Sequence, residues 1–537
     1  MAHRDKSKDP PADILLHNGT LITMDPLKPQ AEALAIQGER IVWVGENKDS
    51  SAWIGPNTKV IDLKGACATP GFIDTHAHIV YTGLAKKYLQ LSGCQDKEEV
   101  LELVKKQVKK SREGEWILGF GWSEGRWLNK AHPTASDLDQ VAPHNPVVLR
   151  RADSHAIWVN SCVLKLAGID ASTPDNEGGK IVRDSQGIPT GILVDSAMTL
   201  VKNLMPQPDL EETIQLAKAV LDESLSLGIT MIHNAATETT EFEAYKQLAA
   251  QNALPLRIYA MMVIRDPTAS SLPLQSPQNF GSFLDVRCLK FFVDGAFGSR
   301  GAALFEAYED EPGHTGLLLW EESRLISLLQ EAKAKGFQVA IHAIGDRANH
   351  YILNFYEKIE AKGLRWRVEH AQLLAQEDIP RFGKLQVIAA MQPIHATSDM
   401  VWFKERVGAD RLNRGAFVLR SLLDSGAIIT GGSDSPIENR NPLWGIYAAV
   451  TRQDHKGFPE GGWYPEQRVT REEALKMYTI HAAYASFREH ELGSLTVGKL
   501  ADIAVLPENL LTCPLKALID MKVLYTIING TVVYSNS

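Results

Sequence analysis

The sequence predicts an α/β protein whose main part is a (β/α)8 TIM barrel. In the middle of the chain, eight short apolar segments alternate with helical segments, a pattern typical of a parallel sheet. Eight such units are the number that closes a barrel, and polar side chains that can bind a metal stand at the ends of five of them. Short strands and turns occupy both ends of the chain, so a separate β-structure is expected to bracket the barrel.

The predicted barrel strands share an apolar run that is bounded by residues typical of turns. They are FIDTHAH (72–78), ITMIHNA (229–235), RIYAMMVI (257–264), CLKFFVDG (288–295), FQVAIHAIG (337–345), RWRVEHAQ (365–372), QVIAAMQP (386–393) and AIITGGSDSP (427–436). Helical segments with apolar residues at three- to four-residue spacing lie between most of them. The first covers residues 209–228, where Gly228 is a stop signal, and the last is predicted at 410–426.

The chain is predicted to have three parts. Residues 1–68 and 487–537 form a β-domain, residues 69–90 and 205–486 form the barrel, and residues 91–204 form an inserted cap subdomain. An insertion in the loop after the first barrel strand lies over the catalytic face, where it acts as a lid or specificity cap. Near the N-terminus, Asn18-Gly19 stands between two apolar runs and predicts a hairpin.

The composition of the chain argues against a nucleic-acid-binding protein and against a membrane-spanning one. The 537 residues carry a formal net charge of −9, which argues against a nucleic-acid partner. No apolar run approaches the roughly 20 residues that a membrane span needs. The five cysteines are scattered and predict free thiols, and the N-terminus has no apolar signal segment, so a cytoplasmic location is expected. The oligomeric state stays open, with a homodimer as the base-rate expectation.

Candidate metal ligands begin with His76 and His78. Residues two apart in a strand point to the same face, and two imidazoles directed to one spot suggest a metal. A pair of core histidines bonded to the backbone is the alternative, and this motif alone does not decide between them. Four more polar residues stand in or at the ends of predicted strands, where an unpaired polar group is costly: Lys290, His342, His370 and Asp434. A barrel would bring all six to one mouth, which favours a metal centre.

These segments resemble the amidohydrolase superfamily of metal-dependent hydrolases. The closer resemblance is to the YtcJ-like branch, amidohydrolase family 3, which includes N-substituted formamide deformylase. The segments are PGFIDTHAH, RADSHAIWVNS, KFFVDGAFGSRGAAL, HAIGDRA, RVEHAQ, MQPIHA, GSDSPIENRNPLWGI and GSLTVGKLADIAVL. They span nearly the whole chain in the expected order. The resemblance implies a barrel, a flanking β-sandwich built from both termini, and an α/β subdomain inserted after the first strand.

The resemblance also implies a divalent metal site with zinc as the default metal. In this arrangement His76, His78 and Asp434 bind one ion, His342 and His370 bind a second, and a CO2-derived carboxylate on Lys290 bridges the two. Nearby divalent cations lower the pKa of a lysine, and the neutral amine can then add CO2. A site with one ion and no carboxylate is the alternative, and Lys290 has a second reading as the partner of an acid such as Asp294.

The implied reaction is hydrolysis of a C–N bond in a small molecule, of amide or formamide type. A metal-bound water ionises near neutral pH and attacks the carbonyl, and Asp434 carries its proton to the leaving nitrogen. Two other functions stay open. The same metal site could serve a lactonase or phosphoesterase, or the protein could be a non-catalytic regulatory homologue.

Three residues are candidate substrate contacts. By resemblance, His155 in the insertion reaches over the site, with packing in the cap as the alternative. Arg300 can hold a carbonyl or carboxylate with its guanidinium, or pair with Asp294 or another acid. His395, at the end of the seventh predicted strand, contacts substrate or is structural. Glu369 alternates with His370 and is therefore expected on the opposite face, as a salt-bridge partner.

Overall fold

The computed structural model describes residues 11–129, 132–176, 178–266 and 268–536. Residues 1–10, which make up most of the polar N-terminus considered for a signal segment, lie outside the described part. The strands before the barrel are β1 (Ile14–His17), β2 (Thr20–Ile22), β3 (Gln30–Ala31), β4 (Ala33–Gln37), β5 (Arg40–Gly45), β6 (Lys59–Asp62) and β7 (Cys67–Pro70).

The first barrel strand, β8 (Phe72–Ala77), and helix α1 (Ile79–Lys87) are followed by a long insertion. The insertion contains β9 (Leu89–Gln90), α2 (Lys97–Val108), β10 (Ile117–Trp122), α3 (Ala135–Asp139), β11 (Val147–Arg151), β12 (Ala156–Val159), α4 (Ser161–Leu166), β13 (Gly179–Arg183), β14 (Pro189–Asp195) and α5 (Thr199–Lys202). Its strands form one sheet in the order β13-β14-β12-β11-β10-β9. Trp122, Trp127 and Trp158 are buried in an apolar cluster beside this sheet.

The rest of the barrel region alternates strands and helices as predicted. Its strands are β15 (Ile229–Thr237), β16 (Arg257–Val263), β17 (Gln278–Asn279), β18 (Leu284–Phe292), β19 (Gln338–Ala343), β20 (Arg367–His370), β21 (Ile388–Met391) and β22 (Ile429–Gly431). Its helices are α6 (Leu210–Leu225), α7 (Thr239–Ala250), α8 (Glu322–Ala334), α9 (Asp346–Lys358), α10 (Ile379–Leu385), α11 (Pro393–Gly415), α12 (Leu419–Asp424), α13 (Pro442–Thr451), α14 (Arg471–Met477) and α15 (Ile480–Ala485).

Eight parallel strands form the barrel, in the order β8-β15-β16-β18-β19-β20-β21-β22, and each contains part of one predicted segment. The end of the first strand meets the residues that directly follow the eighth strand. Ala77 forms a parallel bridge with Ser435, and the backbone amide of Asp434 donates to His76 O at 2.6 Å. The predicted α/β class and the nearly closed eight-stranded barrel are therefore confirmed.

Helix α6 shows how the sequence determines where a helix begins, which face it buries and where it ends. Asp209 precedes the helix, and its carboxylate accepts a hydrogen bond from the Glu212 amide at 2.8 Å. Leu216, Val220 and Leu221 repeat at helical spacing and are buried in the large apolar cluster of the barrel region. Gly228 then adopts a positive φ of 75° after the helix, as expected for a glycine stop.

Two small sheets are built from the chain ends. The C-terminal part supplies α16 (Ala517–Asp520) and β23 (Ile503–Leu506), β24 (Tyr525–Ile528) and β25 (Thr531–Ser535). One sheet has the order β25-β24-β23-β7-β2-β3 and the other β5-β4-β1-β6, so both chain ends contribute to the first sheet. Leu16, Leu34, Ala68 and Ile503, which come from both sheets, lie in one apolar cluster.

The predicted hairpin at Asn18-Gly19 is wrong. Strand β1 pairs with β4 and β6, whereas β2 pairs with β3 and β7, so this dipeptide connects two sheets. A Cβ at Gly19 would lie 2.5 Å from Leu63 Cδ1, which shows how closely the chain packs there. Asn529-Gly530, by contrast, joins the antiparallel strands β24 and β25.

The helix predicted at 410–426 also differs from the structure. Helix α11 begins at Pro393, and a break at 416–418 separates it from α12. Proline suits the first helical position because its missing N–H needs no partner there. The Phe417 amide donates to Gln372 O, in the loop after β20, at 2.7 Å. This amide is therefore not free to form the intrahelical hydrogen bond that a continuous helix would require. His395 consequently lies in the first turn of α11, not at the end of a strand.

In the described part of the chain, no helix is both long and apolar enough to cross a membrane. The five cysteine thiols are free, as the sequence predicted. The cytoplasmic location and the absence of a nucleic-acid partner stay predictions.

Candidate metal centre

One cavity of about 620 Å³ opens at the carboxyl ends of the barrel strands. Five of the six predicted ligands line it, together with two of the three predicted substrate contacts: His76, His78, His342, His370, Asp434, His155 and His395. His78 directly follows β8, His342 lies in β19, and His370 ends β20. The barrel thus brings together side chains that are more than 350 positions apart in the sequence.

Two groups of side chains in this cavity have ligand atoms close enough for one ion. His76, His78 and Asp434 form the first group, and His370, His395 and Asp434 form the second, with ligand atoms within 4.8 Å of one another in each group. Nε2 of His78 lies 3.0 Å, and Nε2 of His76 3.4 Å, from Asp434 Oδ1. Asp434 is therefore shared by the two groups, whereas His342, predicted to bind a second ion with His370, belongs to neither group; its ring centre lies 4.6 Å from that of His370.

The two most buried histidines of these groups are oriented by partners behind them. Nδ1 of His76 donates to the Glu369 carboxylate, and Nδ1 of His370 lies 2.7 Å from Gln392 Oε1. With its proton on Nδ1, such a ring in its neutral form keeps the lone pair of Nε2 for another partner. This is the usual arrangement of a metal-binding histidine, whose other ring nitrogen donates to an oxygen.

The charge states of these groups fit a cation. Burial lowers the pKa of His78, His342 and His370, which keeps them neutral at physiological pH. Burial opposes ionisation of Asp434, but the neighbouring histidines, His76 foremost, hold the pKa of this carboxyl well below its usual range. Burial opposes protonation of His76, but the neighbouring carboxylates of Asp434 and Glu369 raise the pKa of this ring, which would release its proton to a bound metal. Three neutral imidazoles and this fourth ring beside an ionised carboxylate are a donor set that binds divalent metals. The residues present therefore fit the metal that the resemblance implies.

Lys290 lies beneath the cavity and has no exposed surface. Its Nζ has no hydrogen-bond partner among the described residues and lies 4.5 Å from the centre of the Phe292 ring. Burial lowers the pKa of Lys290 to about 8. Asp294 is not its partner, because that carboxylate accepts three backbone N–H bonds, from Ala303, Ile344 and Gly345.

The backbone at His370 explains how two adjacent residues both reach His76. Strand alternation alone would send Glu369 and His370 to opposite faces. His370 has a φ of 74°, in the left-handed region, and its ring centre lies 4.8 Å from that of His76. Glu369 forms the predicted salt bridge, with Arg367 at 2.6 Å, and it points into the barrel toward His76.

The three predicted substrate contacts lie in different surroundings, two in the cavity and one outside it. The His155 ring centre lies 5.0 Å from that of His342, so the insertion does bring this residue over the centre. His395 Nε2 lies 3.7 Å from Asp434 Oδ2. Arg300 is not among the residues that line the cavity, and its guanidinium pairs with Asp310 at 2.8 Å.

The sequence interpretation missed the partners behind the ligands. Gln392 and Asp195 were not singled out, and Glu369 was not linked to His76. The two-residue spacing of Arg367 and Glu369 was an available signal, since it puts both on one face of a strand. No local pattern marks Asp195, because its partner His155 comes from a neighbouring strand connection.

A parallel eight-stranded barrel with histidines and a carboxylate gathered at the carboxyl ends of its strands defines the class of barrel metal-dependent hydrolases. The chain belongs to the amidohydrolase family, whose sequence model matches residues 59–534.

Named relatives agree with this assignment. The chain is 36% identical to Protein LONG AFTER FAR-RED 3 of Arabidopsis thaliana, over 94% of this chain and 89% of the relative. It is 32% identical to the putative amidohydrolase YtcJ of Bacillus subtilis, over 97% and 99% of the two chains. It is 29% identical to N-substituted formamide deformylase of Arthrobacter pascens, over 98% and 99%. The resemblance to the YtcJ-like branch is thereby confirmed.

A solved structure supports the fold. The crystal structure of an uncharacterized metal-dependent hydrolase from Pyrococcus horikoshii is similar, with a TM-score of 0.74 and 25% sequence identity. The similarity covers 94% of this chain and 99% of the other.

Proposed function

We propose that this protein is a metal-dependent hydrolase that cleaves a C–N bond of amide or formamide type in a small molecule. The observation that carries the proposal is the pair of three-residue groups that share Asp434 in the barrel cavity. The relative named N-substituted formamide deformylase supports an amide-type substrate.

His76, His78 and Asp434 would hold one divalent ion, with zinc as the default. His342 and His370 would hold a second, and Lys290 would bridge them as a carboxylate formed with CO2. The buried, unpartnered Nζ of Lys290 and its lowered pKa support this modification, since the neutral amine is the form that adds CO2. The bound metal would polarise the scissile carbonyl and activate water near neutral pH.

Asp434 would move the proton. Its Oδ1 lies 3.0 Å from His78 Nε2 and 3.4 Å from His76 Nε2, whereas its Oδ2 lies 3.7 Å from His395 Nε2. Oδ2 is therefore the oxygen that would take a proton from water and return it to the leaving nitrogen.

We also propose that the two terminal sheets form the flanking β-sandwich, because residues of both sheets lie in one apolar cluster.

Metal removal tests this function. The purified protein should contain at least one divalent ion per chain by elemental analysis, and it should hydrolyse members of a panel of N-substituted formamides and N-acyl compounds. Dialysis against a chelator should abolish turnover, and added Zn²⁺ should restore it. The same panel should include lactones and phosphate esters.

Other outcomes would identify the alternatives. Turnover of lactones or phosphate esters alone would indicate a different hydrolase on the same metal site. Metal-replete protein that turns over no compound of any class would favour a non-catalytic homologue. Unchanged activity after complete metal removal would contradict the proposal.

A further inference from the structure

His155 and Asp195 form a pair in the insertion, and two hydrogen bonds join them. The Asp195 amide donates to His155 O at 2.9 Å, and His155 Nδ1 lies 2.7 Å from Asp195 Oδ1. Asp195 ends strand β14, and His155 directly precedes β12, which pairs with β14. Since a carboxylate can only accept, Nδ1 carries the proton. Asp195 therefore holds both the backbone carbonyl and the ring of His155, whose amide donates to Asp153 Oδ1 at 3.1 Å.

The ring of His155 faces the candidate metal centre. It lines the cavity, and its centre is 5.0 Å from that of the His342 ring. Among the residues that the structure describes, none forms a hydrogen bond with His155 Nε2. This nitrogen is therefore available to a molecule in the cavity.

Asp195 itself is held in an unusual place. Its backbone has a φ of 49° and a ψ of −123°, a conformation that non-glycine residues rarely adopt and that costs about 1–3 kcal/mol. Its Oδ2 is buried and has no hydrogen-bond partner in the described part of the chain. A strained residue with an unpaired buried oxygen is not explained by stability.

Two glycines of the loop after β18 make room for this carboxylate. A Cβ at Gly295 would lie 2.4 Å from Asp195 Oδ2, and a Cβ at Gly301 would lie 2.2 Å from it. Both distances are too short for real atoms, so any other residue at these positions would displace Asp195. Gly295 O also lies 3.2 Å from His342 Nε2, so the same loop contacts the candidate ligand.

We propose that Asp195 is a positioning residue that holds His155 over the metal centre, with Nε2 directed at the substrate. Gly295 and Gly301 leave the space that the Asp195 carboxylate occupies. The proposal rests on the proposed hydrolase function for its kinetic effect, because His155 would hydrogen-bond the substrate during turnover. The geometry of the pair itself is independent of that function. No other residue in the described chain fixes Nδ1 of His155.

Kinetics on a hydrolysed member of the formamide and N-acyl panel provide the first test. Asp195→Ala should lower kcat/KM by about 10- to 100-fold, the usual effect of losing a partner that orients a histidine at a metal site. Asp195→Asn should recover most of this loss, because the amide oxygen still accepts from Nδ1. The double variant Asp195→Ala/His155→Ala should be no slower than His155→Ala alone, since Asp195 acts through His155. Losses that add would overturn the proposal.

The control is Lys180→Met, on the strand next to β14. It removes a contact to Glu311 at 3.2 Å between partly exposed side chains and should leave the rate unchanged. A comparable loss in this variant would attribute the effect to general loosening of the insertion and would overturn the proposal.

A spectroscopic test separates this proposal from the hydrolase function. In protein containing ¹⁵N-histidine, the His155 signal, assigned with His155→Ala, should show a protonated Nδ1 in the wild type and in Asp195→Asn. It should lose that signature in Asp195→Ala. If no panel compound is hydrolysed, the hydrolase function fails and this spectrum still decides the positioning role. An unchanged spectrum in Asp195→Ala would overturn it.

Discussion

Replacing Asp434 with asparagine should lower turnover by about 10²- to 10⁴-fold and leave most of the bound metal in place. The range is the usual contribution of a positioned general acid or base. Asparagine has nearly the same shape and keeps one oxygen near His76 and His78, but it cannot accept and return a proton. Metal content therefore separates the two roles of this side chain, as a ligand and as a proton carrier.

The measurement is kcat on a hydrolysed formamide or N-acyl compound, with metal per chain determined on the same samples. Asp378→Asn is a matched control, because Asp378 is also buried and contacts a histidine, His350 at 3.0 Å, but does not line the cavity. Its rate per folded molecule should equal that of the wild type. An Asp434→Asn variant with the wild-type rate would show that Asp434 does not carry the proton.

Replacing Glu369 with glutamine should destabilise the protein by about 3–5 kcal/mol, the usual cost of removing one partner from a buried ion pair. Arg367 and Glu369 have no exposed side-chain surface. The Arg367 guanidinium also contacts Thr75 O and His233 Nδ1, so it cannot turn outward to water. The variant would leave its positive charge in the barrel interior without a counter-charge.

A second arginine–glutamate pair gives the comparison. Arg365 and Glu489 are 2.8 Å apart with side chains 20% and 32% exposed, so Glu489→Gln should cost only about 0–1 kcal/mol. The midpoints of urea and thermal unfolding would be measured for both variants. Metal affinity should fall only in Glu369→Gln, because the acceptor of the His76 Nδ1 proton loses its negative charge. Equal midpoints for the two variants would contradict this account of the buried pair.

The barrel and most of its candidate ligand positions were predictable because both depend on short-range patterns. Apolar runs bounded by turn residues identified the strands, and polar residues closing those runs identified the candidate ligands. His76, His78 and Asp434 illustrate this, since each stands at a strand end that the sequence shows directly. Parallel strands then place those ends at one mouth.

The remaining features depend on contacts between distant segments. Asn18-Gly19 has the residue types of a hairpin turn, but β1 pairs with β4 and β2 pairs with β7. These pairings are contacts between segments that are distant in the sequence. The turn of His370 into the cavity follows from its left-handed backbone, which no spacing rule indicates. The long, charged side chain of Arg300 can pair with any acid within its reach, and the tertiary fold places Asp310 beside it.

Anomalous diffraction at the zinc edge, from crystals of the zinc-reconstituted and active protein, would locate the metal ion itself. We expect a peak within bonding distance of His76, His78 and Asp434, at about 2.0–2.2 Å from each ligand atom. A map with no peak among these three side chains, or with its strongest peak outside the barrel cavity, would contradict this expectation.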